Sequence, residues 1–254
     1  MSTSPVHYVP ILTTIVGVVF SHTLYQHWRR KPGALYLLWW LLGVLTYVAG
    51  TLTESITAVF GWHPAVFRAW YITGALLGAA PLAQGTVYLL LPRRTAHTLT
   101  VLLLSAVAIA STFVLLSPLD LAHESIAASR LTGRVLEWSW VRRFSPFLNL
   151  YAFVFLVGGA AWSAWRYRRE PGARPRVLGN ILIAVGTLLP GIGGTATRFG
   201  YTEVLFVTEL VGLLLVWQGY RLMVSAVAPS VHRAQQEAAD TARTPVSAGD
   251  PAAA

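Results

Sequence analysis

The sequence predicts an all-α, polytopic membrane protein with seven transmembrane helices. Three observations lead there. The chain has 254 residues, of which 55% are hydrophobic and only 11% charged, whereas a soluble domain carries about 25% charged residues. Its apolar residues fall into seven long blocks, and its basic residues gather in every second connection between them.

Each block meets the length requirement in turn. A spanning helix needs roughly 20 apolar residues to cross about 30 Å of hydrocarbon. Val9–Gln26 is the first, with His22 its only ionisable group besides tyrosines. Ala34–Thr53, Ala69–Pro92, Thr95–Leu119, Phe144–Trp165 and Val177–Thr197 follow, each free of Asp, Glu, Lys and Arg. Val204–Tyr220 is the last and shortest, and spans only if Tyr201–Ala226 is counted in full. Block length and the lack of strict alternation argue for helices rather than barrel strands. Met1–Pro10 has no basic n-region, so the first block reads as a retained helix rather than a cleaved signal. Pro81 is expected to kink helix 3, and Pro190-Gly191-Ile192-Gly193-Gly194 to loosen or break the outer end of helix 6.

Charge sets the expected orientation. Arg29, Arg30 and Lys31 join helices 1 and 2, Arg93 and Arg94 join helices 3 and 4, and Arg166, Arg168, Arg169, Arg174 and Arg176 join helices 5 and 6. The positive-inside rule places these connections in the cytoplasm and the N-terminus outside, in a plasma (inner) membrane. The net charge of +9 is then a belt facing anionic lipid, not a nucleic-acid surface. The outer segment from Asp120 to Arg143 interleaves Leu121, Ile126, Leu131, Val135, Leu136, Trp138 and Trp140 with charges. It reads as a packing lid over the bundle or as an interfacial amphipathic helix. Residues 227–254, rich in Ala and Pro, are expected to form a disordered cytoplasmic tail beyond a transmembrane domain of residues 1–226.

The transmembrane domain carries signs of an internal repeat. Trp28-Arg29-Arg30-Lys31-Pro32-Gly33-Ala34 matches Tyr167-Arg168-Arg169-Glu170-Pro171-Gly172-Ala173. Leu41–Thr46 then lies over Leu182–Thr187, Gly50 over Gly191, and Gly78 with Gln84-Gly85 over Gly212 with Gln218-Gly219. These matches pair residues 1–92 with residues 144–226 and leave 93–143, helix 4 and the outer loop, as a linker. Both triplets run in the same direction, so the repeats are parallel, related by an axis along the membrane normal.

On those residues the chain resembles, in architecture alone, the 3+1+3 arrangement of SWEET and PQ-loop transporters. The Pro-Gln dipeptide is missing, since the nearest sequence is Pro81-Leu82-Ala83-Gln84. No functional residues of that family are carried across. The helix count also resembles a microbial rhodopsin, whose retinal is held by a helix 7 lysine. Lys31, in a cytoplasmic loop, is the only lysine, so the chain cannot form a Schiff-base retinal pigment.

Glu209 is the leading candidate for a functional group. It is the only charged residue inside an apolar block, about 8 Å below the outer end of helix 7. A carboxylate there must face the bundle and be paired or protonated. Its counterpart in the repeat is Ala75. Glu54, Arg68, Asn149, Tyr151, Arg198 and Glu203 lie at similar outer depth and are expected to line a substrate or proton vestibule, or to tie helices together. Gln84 and Gln218, equivalent in the repeat, form a possible inner gate. Gly74 and Gly78 form a GxxxG pair for helix packing.

Several chemistries are excluded or unsupported. There is no cysteine, so disulfides, thiolate metal sites and a cysteine nucleophile are out. Only His22 and His97 are placed to pair on a haem, and His63, His123, Glu54 and Glu124 lack short metal-ligand spacing. No cofactor or metal is expected. No HExxH motif, paired Asp motif or serine-nucleophile context appears, so an enzyme is not expected. The reading that follows is a transporter of a small molecule or a proton-coupled solute. A seven-helix sensory or binding protein for a lipid, carotenoid or other apolar ligand is the alternative, with an intramembrane lipid-modifying enzyme behind it. The bilayer is the expected partner, with a homo-oligomer or membrane partner possible.

Overall fold

The computed structural model describes residues 5–127, 130–170, 172–197 and 199–243, with side chains as far as Ser225 except at 125 and 127. Seven helices are long and apolar enough to span a membrane. They are α1 (Pro5–Arg30), α2 (Leu35–Phe60), α3 (Pro64–Leu90), α4 (Arg93–Leu116), α5 (Ser139–Tyr167), α6 (Arg174–Thr197) and α7 (Thr202–Arg243), of which Thr202–Ser225 is the spanning part. The spans have 24 to 29 residues, about 36–44 Å of helix. Among the described residues there is no strand, only an isolated bridge between Leu119 and Leu136.

The helices form a ring. Contacts run from α1 to α2, α3, α5, α6 and α7, and α7 closes back on α1. α4 lies outside the ring, against α3 and the start of α5. It is the least covered helix, with 17% of its apolar window buried. The outer segment between α4 and α5 folds as a lid. Val135, Leu136 and Val141 pack with Phe67, Trp70 and Tyr71 of α3 and Val114 of α4. Among the described residues there, Glu124–Ala127 is helical, followed by a 3-10 turn at Gly133–Val135.

Of the two helix breaks expected, the one in α6 is corrected. α6 stays helical through Pro190 and the glycines after it. Its neighbour α7 presents Gly212 to Pro190, and a Cβ there would meet the ring Cδ at 3.1 Å. The packed backbone of α7 thus supports the segment that composition alone would loosen. The break falls in α3. Its backbone widens to a π-helix over Tyr71–Leu77 and turns at Gly78, φ 45°, before resuming at Ala80. Pro81 lacks the N–H that would bond the Leu77 carbonyl one turn earlier. The strain is absorbed at Gly78, which tolerates a positive φ. α5 contains a second π segment, Phe153–Gly158.

The tail also departs from expectation. The backbone of α7 continues as helix to Arg243, past the boundary at residue 226. Residues 234–243 are rich in Ala, Gln and Glu, good helix formers that propagate an existing helix. Residues 244–254 lie outside the described residues.

α6 and α7 approach most closely at Gly186 and Gly212. A Cβ on either would stand 2.5–2.6 Å from the other's carbonyl oxygen. Gly212→Leu is therefore expected to destabilise the bundle by about 1–3 kcal/mol through overpacking. Gly191, with nothing near a Cβ, should accept alanine within about 0.5 kcal/mol. Unfolding in mixed micelles, followed by tryptophan fluorescence, measures both.

Candidate functional site: a buried carboxyl pair

The site begins with two helical stripes. On α2, Trp40, Tyr47 and Glu54 are spaced seven apart, which returns to the same face within about 20°. On α7, Glu209, Leu213, Val216 and Tyr220 follow an i, i+4, i+7, i+11 pattern on one face. The fold turns both stripes inward. Glu54 is 4% exposed, and its carboxyl lies within hydrogen-bonding range of that of Glu209.

Neutral groups hold the pair. Trp70 Nε1 donates to Glu54 Oε1 at 2.9 Å. Tyr47 Oη donates to the Glu209 carbonyl at 2.9 Å. Thr14 of α1 bonds Thr51, one turn before Glu54, at 2.9 Å, and lies 3.5 Å from Ser55, the next residue after Glu54. Glu54 Oε2 and Glu209 Oε2 are buried with no protein donor. Two acceptor oxygens facing each other form a hydrogen bond only when one carries a proton. Two bare carboxylates in hydrocarbon would repel one another and forfeit their solvation. The arrangement thus holds a proton between two acids, or a small cation in its place.

Trp70 couples this site to the lid end of the bundle. It stands where α3 changes from α- to π-geometry and is packed by Phe67 and Tyr71. The lid covers the same cluster. A π segment commonly marks a functional position, and here it follows directly on the residue that holds Glu54.

The remaining candidates have other surroundings. Arg68 donates to Leu115 O, and at 2.9 Å to Ser117 O. It thereby caps the C-terminus of α4, where a cation meets the negative end of the helix dipole. Glu203 is half-buried in the first turn of α7, where an acid complements the helix N-terminus. Asn149 is exposed, with its Oδ1 against Gly78. Tyr151 donates to Gln84 Oε1. Arg198 lies outside the described residues. Of these candidates the structure brings together Glu54 and Glu209, while Arg68 and Tyr151 are engaged elsewhere.

The glutamines are not brought together. Gln84 is fully buried, and its Nε2 donates to Ala96 O at 3.1 Å and Thr100 Oγ1 at 2.8 Å. Thr100 and His97 in turn bond Tyr88. This network ties α3 to α4 and α5. Gln218 is exposed, because its place on α7 lies about 180° from Glu209. Closure at the basic end is aromatic instead. Phe20 stacks on Trp217 with centroids 5.7 Å apart, and Trp40 meets Tyr220 edge-on at 6.1 Å. His27 Nδ1 lies 2.6 Å from Tyr220 Oη. Above this plug the ring encloses a cavity of ≈ 30 Å³ lined by all six ring helices, including Thr86 of α3 and Thr187 of α6. That is room for one or two waters.

Tyr47, Trp70, Trp40, Tyr220 and His27 are the site and closure residues that sequence reasoning missed. The seven-residue spacing of Trp40, Tyr47 and Glu54, and the eleven-residue spacing from Glu209 to Tyr220, are the signals that point to them. No protein-family model, curated protein or solved structure matches the chain. The 3+1+3 resemblance therefore rests on helix number and order.

Substitutions at Glu54 separate a shared proton from simple burial. Glu54→Gln keeps the shape, and its amide N–H can donate to Glu209, so stability should stay close to wild type. Glu54→Leu strands both the Trp70 N–H and the Glu209 carboxyl, and should cost about 1–3 kcal/mol. Trp70→Phe removes one donor and should fall between them. Detergent-titrated unfolding of the three variants measures the order.

Proposed function

We propose that this seven-helix membrane protein is a transporter that couples movement of a small solute to protons through the Glu54–Glu209 pair. The observation that carries the reading is two facing buried carboxyls, with Trp70 donating to Glu54 and one oxygen of each acid without a protein donor. A purely structural bond between helices would be made with less desolvation cost by one acid and one amide. Two facing carboxyls can share one proton and release it.

The helix order supports a parallel 3+1+3 repeat. Exchanging α1–α3 with α5–α7 carries the α3–α5 contact onto α7–α1 and preserves the ring. The two triplets would rock about the central axis, with the lid on the outer side and the aromatic plug on the inner. The acid is asymmetric in this scheme. Glu209 faces Ala75 in the repeat, and Ala75 lies in the π segment that α7 lacks. The basic connections support an N-terminus outside and a plug on the cytoplasmic side of a plasma membrane.

Proteoliposomes with an internal pH dye test the reading against a panel of polar solutes. A solute that drives proton uptake in wild type should do so at least about tenfold more slowly in Glu209→Gln and Glu54→Gln, the size of effect expected for loss of a proton-transfer group. Infrared difference spectra should show a protonated-carboxyl band that the double variant lacks. Wild-type proton-coupled flux in the double variant would overturn the assignment.

A further inference from the structure

The outward faces of α1 and α7 carry polar groups that neither the carboxyl pair nor the aromatic plug uses. His22 of α1 and Gln218 of α7 are both exposed. Gln26 Nε2, which can only donate, lies 2.8 Å from His22 Nε2, so the neutral imidazole carries its proton on Nδ1. Neither His22 Nδ1 nor the Gln218 amide has a hydrogen-bond partner among the described residues.

The two groups share a depth. Contacts between α1 and α7 run in the same order along both, His7 with Phe206, Phe20 with Trp217 and His27 with Tyr220, so the two helices are parallel. From the Phe20–Trp217 stack, His22 lies two residues further on and Gln218 one, a difference of about 1.5 Å. Arg30, at the end of α1, is eight residues beyond His22, about 12 Å. The imidazole therefore lies within the hydrocarbon, where lipid tails offer its N–H no acceptor.

We infer that this face binds a second copy of the chain, with α1 of each copy packed on α7 of the other. All copies enter the bilayer in one orientation, so a two-fold axis along the membrane normal carries each group round at its own depth. The His22 Nδ1–H of one copy then meets the Gln218 side-chain carbonyl of the other, and the reverse pair forms across the axis. One is a donor and the other an acceptor, so a single contact satisfies both, twice per dimer. Ile15, Val19, Val211 and Leu214, each 41–56% exposed, pack around it. Charge does not oppose the contact. Arg29, Arg30 and Lys31 are exposed about two turns beyond His22, at the bilayer surface, and face α7 rather than each other. Arg221, exposed one turn past Gln218, comes level with Tyr25 and Gln26, which are neutral.

Single-molecule photobleaching of the labelled full chain in liposomes, over a range of dilution in lipid, tests this. Wild type should pass from two bleaching steps to one as it is diluted. His22→Leu and Gln218→Leu should each weaken dimerisation about tenfold, the loss of two equivalent hydrogen bonds between helices. The double variant should weaken it no further, because both changes remove the same contact. The chain has no cysteine, so Val18→Cys chains mixed with Leu214→Cys chains should cross-link to one another. Leu102→Cys on α4, at a position 60% exposed, should cross-link to neither. Monomers at every dilution, a dimer indifferent to both leucine variants, or cross-linking through Leu102 as readily as through α1 and α7 would each overturn the proposal. So would a monomer that holds a lipid on this face in place of the second copy.

Discussion

Two carboxyl groups facing one another inside a bundle of apolar helices impose the main constraint on this protein. Glu54 and Glu209 lie on different helices, and their carboxyls come within hydrogen-bonding range of each other. Such a pair is tolerated in hydrocarbon only if a proton or small ion is shared and the remaining lone pairs find donors. Trp70 supplies one such donor to Glu54, and Tyr47 bonds the backbone carbonyl of Glu209 beside the pair. The break in α3 follows directly on Trp70, and the lid packs against the same aromatic cluster. A local electrostatic demand thus extends outward to the largest loop of the chain.

The two ends of the ring are closed by different means. On the side of the lid, apolar residues of the loop pack on α3 and α4, and Arg68 fastens α4 through its last carbonyls. At the basic end, rings of α1, α2 and α7 interlock and a histidine meets a tyrosine hydroxyl. The aromatic stripe on α7 lies on the face that carries Glu209, about three turns away. A rotation of α7 would therefore disturb the acid pair and the plug together. That linkage is what a transport cycle requires of a single moving element.

Glycine acts differently in the two halves. In α3, Gly78 accepts a positive φ and lets the helix break beside Pro81. In α6 and α7, glycines bring two backbones together and keep Pro190 within a continuous helix. Both segments combine proline with glycine, and both look breakable in one dimension. The outcome depends on what packs beside them, because a neighbouring backbone can hold a helix that isolated propensity would loosen.

Hydrophobic block length and charge spacing were enough to read seven spanning helices, because a bilayer demands long apolar helices whatever their partners. The isolation of Glu209 in an apolar block marked it as costly, and Glu54 was placed at matching depth. Their meeting was not legible, nor was the part of Trp70 and Tyr47. The pairing of Gln84 with Gln218 failed because equal positions in an aligned repeat say nothing about which face each helix turns inward. Sequence alone thus determined which segments span and which groups are expensive to bury. Tertiary structure decided which of those groups share a site, since helix rotation and crossing are set by packing between segments far apart in the chain.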